Sequence, residues 1–594
     1  MEKTPSIASA ILPFNDPPMR FYYLSDICRA KPDYNRLKSK NAVLDSWVET
    51  EMGLVRKERA FEGVPASSAI AMAVMEESGI RELIDSQVRW DSERKLSPGN
   101  AVMAMIGPIF DHRKKLPLSG IREFYRGAPT DMLFGEGVTE ESLNDKALAR
   151  NLDSLHDAGL EELYWSCSRK IKSHYGFDSH VRHMDSTNYT VHAVPPDDPG
   201  DGTAVPAYGG NAKDGRNDLL QYCAATVTDG DRVLEYCRAY SGNTSDVVMN
   251  EDTLGFLIEH LDPRNDTVIA DSKLVNERLI STISKAGMGF ISKVPAIFSD
   301  RIRDVIIQSA LTGLMDDVLE GYQVYDTEAD TICGKLRFIA YRSPKGTGRA
   351  MDYLERQGLK EAERRFRPLT KRTFACHEDA SRALEEVMRT HRDSAYDVFA
   401  DIVATEVVRK RASRGRPSKD APPPETFTEW TIETRFEFNR SRAEFLAAEH
   451  DLGVIVTNIP FANEDEGNVR HGATTSTVLR LYLDQYKVEH TYRLMKSGMG
   501  VDSVYVRTPK RADALLFVVA VATLVSSIID ALLAKSRDCP YRTVKKAAEA
   551  IQHASFEFHR DTGDITVTGP AGSVDRVFAY IDGIGLDPSH LFEK

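Results

Sequence analysis

A chain of 594 residues, 42% hydrophobic and 28% charged, has the length for roughly three or four domains and the composition of a soluble globular protein. Its 76 basic and 89 acidic residues leave a net charge of −13, which excludes a uniformly basic nucleic-acid binder and leaves local patches as the only route to DNA. Seven cysteines, odd in number and with no CxxC pair, exclude a disulfide framework or a zinc site and point to a reducing compartment.

The opening segment, MEKTPSIASAILPFNDPP, has no basic start followed by a long apolar core, so no secretory signal is expected. Residues 1–175 read as a mainly helical region. Ser97-Pro98 precedes the apolar run 101–110, and Ser119 is placed to cap a short helix reaching Tyr125. Asn144 is placed to cap a helix with Leu148, Leu152 and Leu155 on one face, and Gly159 breaks the chain before a helix over 160–172. The basic clusters Arg36/Lys38/Lys40, Arg113/Lys114/Lys115 and Arg169/Lys170/Lys172 read as solvated surface.

From 176 to 295 the pattern changes to short strands with helices between them. Strands are expected over 181–185, 222–228 and 233–240, the last two joined by a turn at Asp229-Gly230-Asp231. A helix over 252–261, a strand over 267–271, a helix stopping at Gly287 and a strand over 288–294 follow. Three strands, helix, strand, helix, strand is the order of an RNase-H-like sheet. Residues 296–470 interrupt it with what reads as a mostly β insertion, with strands expected over 322–325, 336–341, 398–408, 430–438 and 454–459. Its segment VRKRASRGRPSK (408–419) holds six Lys/Arg and no acid. Arg414 and Arg416 there have the extended, arginine-flanked form that fits a narrow minor groove. Residues 471–535 return to the core pattern. The apolar stretch 514–529, bracketed by Asp513 and Asp530, is shorter than the ~18 residues of a membrane span and reads as a buried helix. Residues 536–594 form a small α/β tail, with a helix over 544–552 and a hairpin of 556–559 with 565–568.

The segment YLDQYKVEHTYRLMK (482–496) has no proline or glycine and reads as a helix. Tyr482, Gln485, Glu489 and Lys496 stand at offsets of 3, 7 and 14, within one arc of its surface. Asp185 ends the expected first strand in HMDST, and Asp271 ends the fourth in TVIADSK. Acids at adjacent strand ends converge at one sheet edge, and a helix packed there can bring in Glu489. Three converged carboxylates are costly unless divalent cations neutralise them, and hard oxygen donors select Mg²⁺ or Mn²⁺. Asp178, Asp214 and Asp218 are rival acids, and Glu277 reads as a helix-surface residue.

In order, HMDST, GGNAKDGRNDLLQY (209–222), SGNTSD (241–246), VIADSK and YLDQYKVEHTYRLMK resemble the DDE transposases of prokaryotic insertion sequences, in the superfamily with a Tyr-Arg-Glu-Lys signature. The resemblance covers about 176–535. It implies an α/β fold: an RNase-H-like mixed sheet core interrupted by a mostly β insertion, with a helical N-terminal region that binds DNA ends. It implies that Asp185, Asp271 and Glu489 hold two Mg²⁺ or Mn²⁺ ions, and that Tyr482 and Lys496 hold transposon-end phosphates. The signature's arginine position is Gln485, which lacks the charge-assisted fork; Arg493, Lys510 and Arg511 are nearby cations that can replace the charge. Trp430 reads as a packed strand residue, while the resemblance offers it a stacking role on a flipped base. The activity implied is cleavage of terminal inverted repeats and joining of the 3′ ends to target DNA, by a homodimer in the cytoplasm, associated with the nucleoid and with no membrane. An RNase-H-like nuclease without joining activity, or a non-enzymatic DNA-binding descendant, are the alternatives.

Overall fold

The structure is a computed structural model of the chain. It describes residues 21–23, 47–50, 53–56, 62–111, 117–191, 201, 203–208, 219–295, 298–299, 301–344, 346–391, 394–408, 425–485, 508–560, 564–586 and 591. The chain is α/β and divides into two compact units, one of residues 1–274, 285–289 and 481–594, the other of 275–284 and 290–480.

In the first unit, the helices Ala66–Glu77 and Pro98–Phe110 are apolar on nearly every side and lie in the centre of the core. Ser97 caps the second, accepting from the Asn100 N–H at 3.3 Å, and Asn144 caps Asp145–Asp157, accepting from Ala147 at 3.0 Å. Leu148, Leu152 and Leu155 are buried on that helix. Gly159, at φ 87°, turns the chain into Leu160–Tyr175. Ser119 is not a cap: it lies inside the 3₁₀ turn Leu118–Gly120, and Gly120 precedes the helix Ile121–Phe124.

The apolar stretch is the middle of a longer helix, Pro509–Lys535. By length and composition it could cross a membrane, but 83% of its most apolar window is buried inside the protein. It packs on Asp145–Asp157 and Leu160–Tyr175, where Phe517 meets Tyr164 edge-on at 6.3 Å. Asp513 and Asp530 do not bracket this helix; they lie within it. Its ends extend past them because each acid finds a backbone donor, Ala204 for Asp513 and Val544 for Asp530. The expected C-terminal hairpin forms from Ser555–His559 and Asp564–Thr568. It pairs antiparallel with Glu62–Pro65 and parallel with Phe21–Tyr23, making one four-stranded sheet from both ends of the chain.

The sheet that carries the expected site has strands β1 (Val181–Val191), β2 (Leu220–Asp229), β3 (Leu234–Ser241) and β4 (Thr267–Ala270). Helix α1 (Asp246–His260) joins β3 to β4. β1, β2 and β3 form an antiparallel meander, and β4 lies parallel to β1 on its other side. The order is therefore 3-2-1-4, with Ala207–Tyr208 also pairing with the start of β2. Two boundaries differ from expectation. β1 continues six residues beyond Asp185, because β2 supplies a partner for its whole length. α1 starts at Asp246 rather than at 252, because Ser245 caps it there, accepting from Val248.

The second unit is not mostly β. A sheet of Asp316–Leu319, Tyr322–Thr331, Gly334–Arg342, Leu452–Thr457 and Gly289–Lys293 pairs antiparallel in that order. A separate hairpin, Tyr396–Val408 with Thr426–Phe438, is paired along its whole length. Against these stand the helices Ile302–Thr312, Gly346–Thr370, His377–Thr390 and Arg440–His450. The 25-residue helix Gly346–Thr370 carries Ala350, Leu354, Ala362 and Phe366 at steps of four, eight and four residues, and these are buried against the hairpin and the helix Arg440–His450.

Candidate functional site

β1 and β4 run parallel with Val181 opposite Thr267, Arg182 opposite Val268 and His183 opposite Ile269. Two further steps of that register bring Asp185 level with Asp271, the first residue after β4. The ladder itself stops at His183 and Ile269, so each acid stands two residues past the last pair of adjacent strands. Asp185 is thus not at a strand end; it sits in mid-strand, at the point where its parallel partner stops. Asp271 is exposed and Asp185 half-buried. Each carboxylate accepts from the backbone N–H of the next residue, Ser186 at 2.7 Å and Ser272 at 2.6 Å.

A third acid, not singled out from the sequence, ties these two strands together. Asp246, the first residue of α1, accepts from Ser186 Oγ at 2.7 Å and forms an ion pair with Lys273. Ser186 follows Asp185 and Lys273 lies two residues past Asp271. The loop that delivers Asp246 is held by backbone packing. A Cβ on Gly242 would lie 1.9 Å from the carbonyl oxygen of Gln221, so only glycine fits there. The Gly242 N–H also bonds to the Val205 carbonyl at 3.1 Å. The signal available in the sequence was the SGNTSD motif, with a serine one residue before an acid at a helix start.

Beneath the start of β1 lies a buried charge network. Arg182 donates to Glu235 at 2.8 Å and to Asp266 at 2.6 Å. Lys172, only 2% exposed, reaches both Asp229 and Glu235 at 2.7 Å. Lys172 is therefore not part of a solvated basic cluster; its helix packs against β3 and turns it inward. Burial pushes the Asp229 carboxyl up despite Lys172. At Glu235 the same burial is outweighed by Lys172 and Arg182, which hold it below the usual carboxylate range. The network joins β1, β2 and β3 to the turn before β4, at the end of the β1–β4 ladder away from Asp185 and Asp271.

The segment expected to bring in Glu489 starts in the helix Thr475–Leu483, which includes Tyr482. The uninterrupted helix expected from Tyr482 is not present at its start: Asp484 and Gln485 form a turn, with the Gln485 N–H bonded to the Tyr482 carbonyl at 3.1 Å. Gln485 and Tyr482 are half-buried. Leu481 and Asp484 line a cavity of about 40 Å³ with His183, Thr228 and Asp229, which brings this segment beside β1 two residues from Asp185. Glu489, Arg493 and Lys496 lie outside the described residues, as do Arg414, Arg416, Asp214 and Asp218. Asp178 is exposed ahead of β1, and Glu277 is exposed in the first turn of Glu277–Ala286. Lys510 and Arg511 each have an acid of their own: Lys510 pairs with Asp201 at 3.5 Å, and Arg511 holds Asp153 through two bonds of 2.8 and 2.7 Å. In the second unit, Trp430 pairs through its backbone with Phe374 and meets His377 edge-on at 5.2 Å, packed in a small core with Phe366 and Leu369.

Chemically, two carboxylates level on neighbouring strands fit as a pair of hard oxygen ligands for a divalent cation. Among the described residues no group of three His, Cys, Asp or Glu side chains is close enough to hold a metal. A third ligand would have to come from outside them, which is where Glu489 falls. No curated protein matches the chain. Residues 68–168, within the N-terminal helices of the first unit, match the family model described as a domain of unknown function (DUF4277), a domain associated with transposase-like proteins.

Proposed function

We propose that this chain is an insertion-sequence DDE transposase, which binds the terminal inverted repeats of its element as a homodimer, cleaves them and joins the 3′ ends to target DNA. The observation that carries this reading is the register of the parallel strands β1 and β4, whose last pair, His183 with Ile269, stands two residues before Asp185 and Asp271 alike. The approach of residues 481–484 to the same strand supports it, because Glu489 follows five residues later. The DUF4277 match in the N-terminal helices agrees with it. Asp185, Asp271 and Glu489 are the residues that would hold Mg²⁺ or Mn²⁺. When bound, two such ions activate the attacking oxygen and stabilise the leaving oxygen at phosphorus. Tyr482, Gln485, Arg493 and Lys496 orient the DNA end, and Arg414 and Arg416 hold flanking DNA.

The test uses DNA flanking the gene, searched first for inverted repeats, and the purified full chain with Mg²⁺ or Mn²⁺. Asp185→Asn, Asp271→Asn and Glu489→Gln should each reduce strand cleavage at least about a hundredfold while end binding persists. Ca²⁺ should support binding without turnover. Cleavage near the wild-type rate in any one variant removes that residue from the site. Cleavage with no strand-transfer product on a supercoiled target identifies a nuclease instead.

A further inference from the structure

We infer that Asp246 is a positioning residue that clamps the Asp185 and Asp271 strand segments together, an inference that rests on those two acids being the metal ligands proposed above. Its carboxylate bonds, through one oxygen each, to the residue after Asp185 and to a residue just past Asp271. Oδ1 accepts from Ser186 Oγ at 2.7 Å, and Oδ2 pairs with Lys273 Nζ. β4 and β1 share only three ladder positions, ending at His183 and Ile269, two residues short of the acids. Beyond that point no further ladder pairs are formed between the two segments, and Asp271 already stands in the irregular backbone leading to the turn Ser272–Leu274. The clamp spans the place where the ladder stops. Its own base is rigid: Ser245 caps α1 directly before Asp246, and the Gly242 backbone is packed against Gln221. Outer groups that fix ligand orientation typically change metal affinity 10–100-fold when removed.

Charge alone could make Asp246 favour a nearby cation, so the test separates charge from tethering. Mn²⁺ binding to the full chain is measured by calorimetry and by electron paramagnetic resonance, with thermal melting alongside. Asp246→Asn should weaken Mn²⁺ binding about tenfold or more. Ser186→Ala changes no charge and should weaken it similarly. Lys273→Met is the deciding variant. Removing a cation near the site strengthens Mn²⁺ binding if only through-space charge matters, whereas loss of the clamp weakens it. The double variant Asp246→Ala/Ser186→Ala should be no weaker than Asp246→Ala alone, because the two share one interaction. Affinities within twofold of wild type for Ser186→Ala, or tighter binding by Lys273→Met, overturn the clamp. Should Asp246→Asn fail to melt cooperatively, the Ser186 and Lys273 variants, which leave the helix start intact, decide the matter. If wild-type protein binds Mn²⁺ no better than Asp185→Asn/Asp271→Asn, the ligand assignment fails and the clamp with it. If wild type binds and the clamp variants match it, only the clamp fails.

Discussion

Asp513 shows what a single side chain can do to the pH response of this protein. It lies on the long apolar helix and lines a cavity of about 350 Å³ with His156, Glu161, Tyr189 and Arg238. Burial pushes its carboxyl up to about 7, against the opposing pull of the Ala204 N–H and of Arg238. His156, 3.9 Å away, is shifted down, first by burial and then by Lys510. Because the Asp513 carboxyl keeps its proton to a higher pH in the folded state than in the unfolded chain, its favourable contribution is complete below pH ~4 and is lost as pH rises to about 7. Asp513→Asn keeps an acceptor for Ala204 and never ionises. It should raise the melting temperature at pH 8, by at most about 4 kcal/mol of stability, with a clearly smaller gain at pH 5. Melting curves of both proteins at the two pH values check this, and an equal gain at both would mean that the carboxyl is not buried as described. Nothing in the sequence distinguishes Asp513 from Asp530 at the other end of the same apolar run, because only the packing around the helix decides which acid loses its water.

At the scale of elements, the β1–β2–β3 meander and the helix Leu160–Tyr175 share an apolar core, and a buried charge network joins them as well. Lys172 and Arg182 stand between Asp229, Glu235 and Asp266, all of them buried. Removing one cation strands carboxylates in a dry interior. Lys172→Met should therefore cost roughly 3–5 kcal/mol, read as a shift in the urea midpoint, and Lys172→Met/Glu235→Gln should recover part of it. A loss below about 1 kcal/mol would place the network among solvated ion pairs. Local signals made much of this region legible. The caps at Ser97 and Asn144 act over three residues, so they can be read directly from the chain. The charge network could not be read, since its members are separated by up to 94 positions, from Lys172 to Asp266. The long helix Gly346–Thr370 was missed for another reason. Its buried stripe includes the small residues Ala350 and Ala362 beside Leu354 and Phe366, so its apolar periodicity is weak.

On the scale of the whole molecule, the first unit is closed by the two ends of the chain. Glu62–Pro65 pairs with Ser555–His559, and Phe556, Phe558, Ile565 and Val567 enter the same core as the helices Ala66–Glu77 and Pro509–Lys535. A chain truncated after 540 loses half of that four-stranded sheet and uncovers the core beneath it. It should be insoluble or melt without cooperativity, whereas the second unit keeps its own clusters around Phe366 and Tyr396. A truncated chain melting as the full one does would show that 541–594 is a dispensable appendage.

The sequence by itself determined the order of strands and helices over 181–294 and the caps at Ser97 and Asn144, because each of these is written in residues a few positions apart. It also marked the basic segment around Arg414 and Arg416. Tertiary structure alone decided that Asp185 stands in mid-strand level with Asp271, that Asp246 joins the segments carrying them, and that Lys172 points inward. A strand's alternation shows which face a residue takes but not which residue of a distant parallel strand lies beside it. That level is set by non-local pairing, which no local pattern encodes.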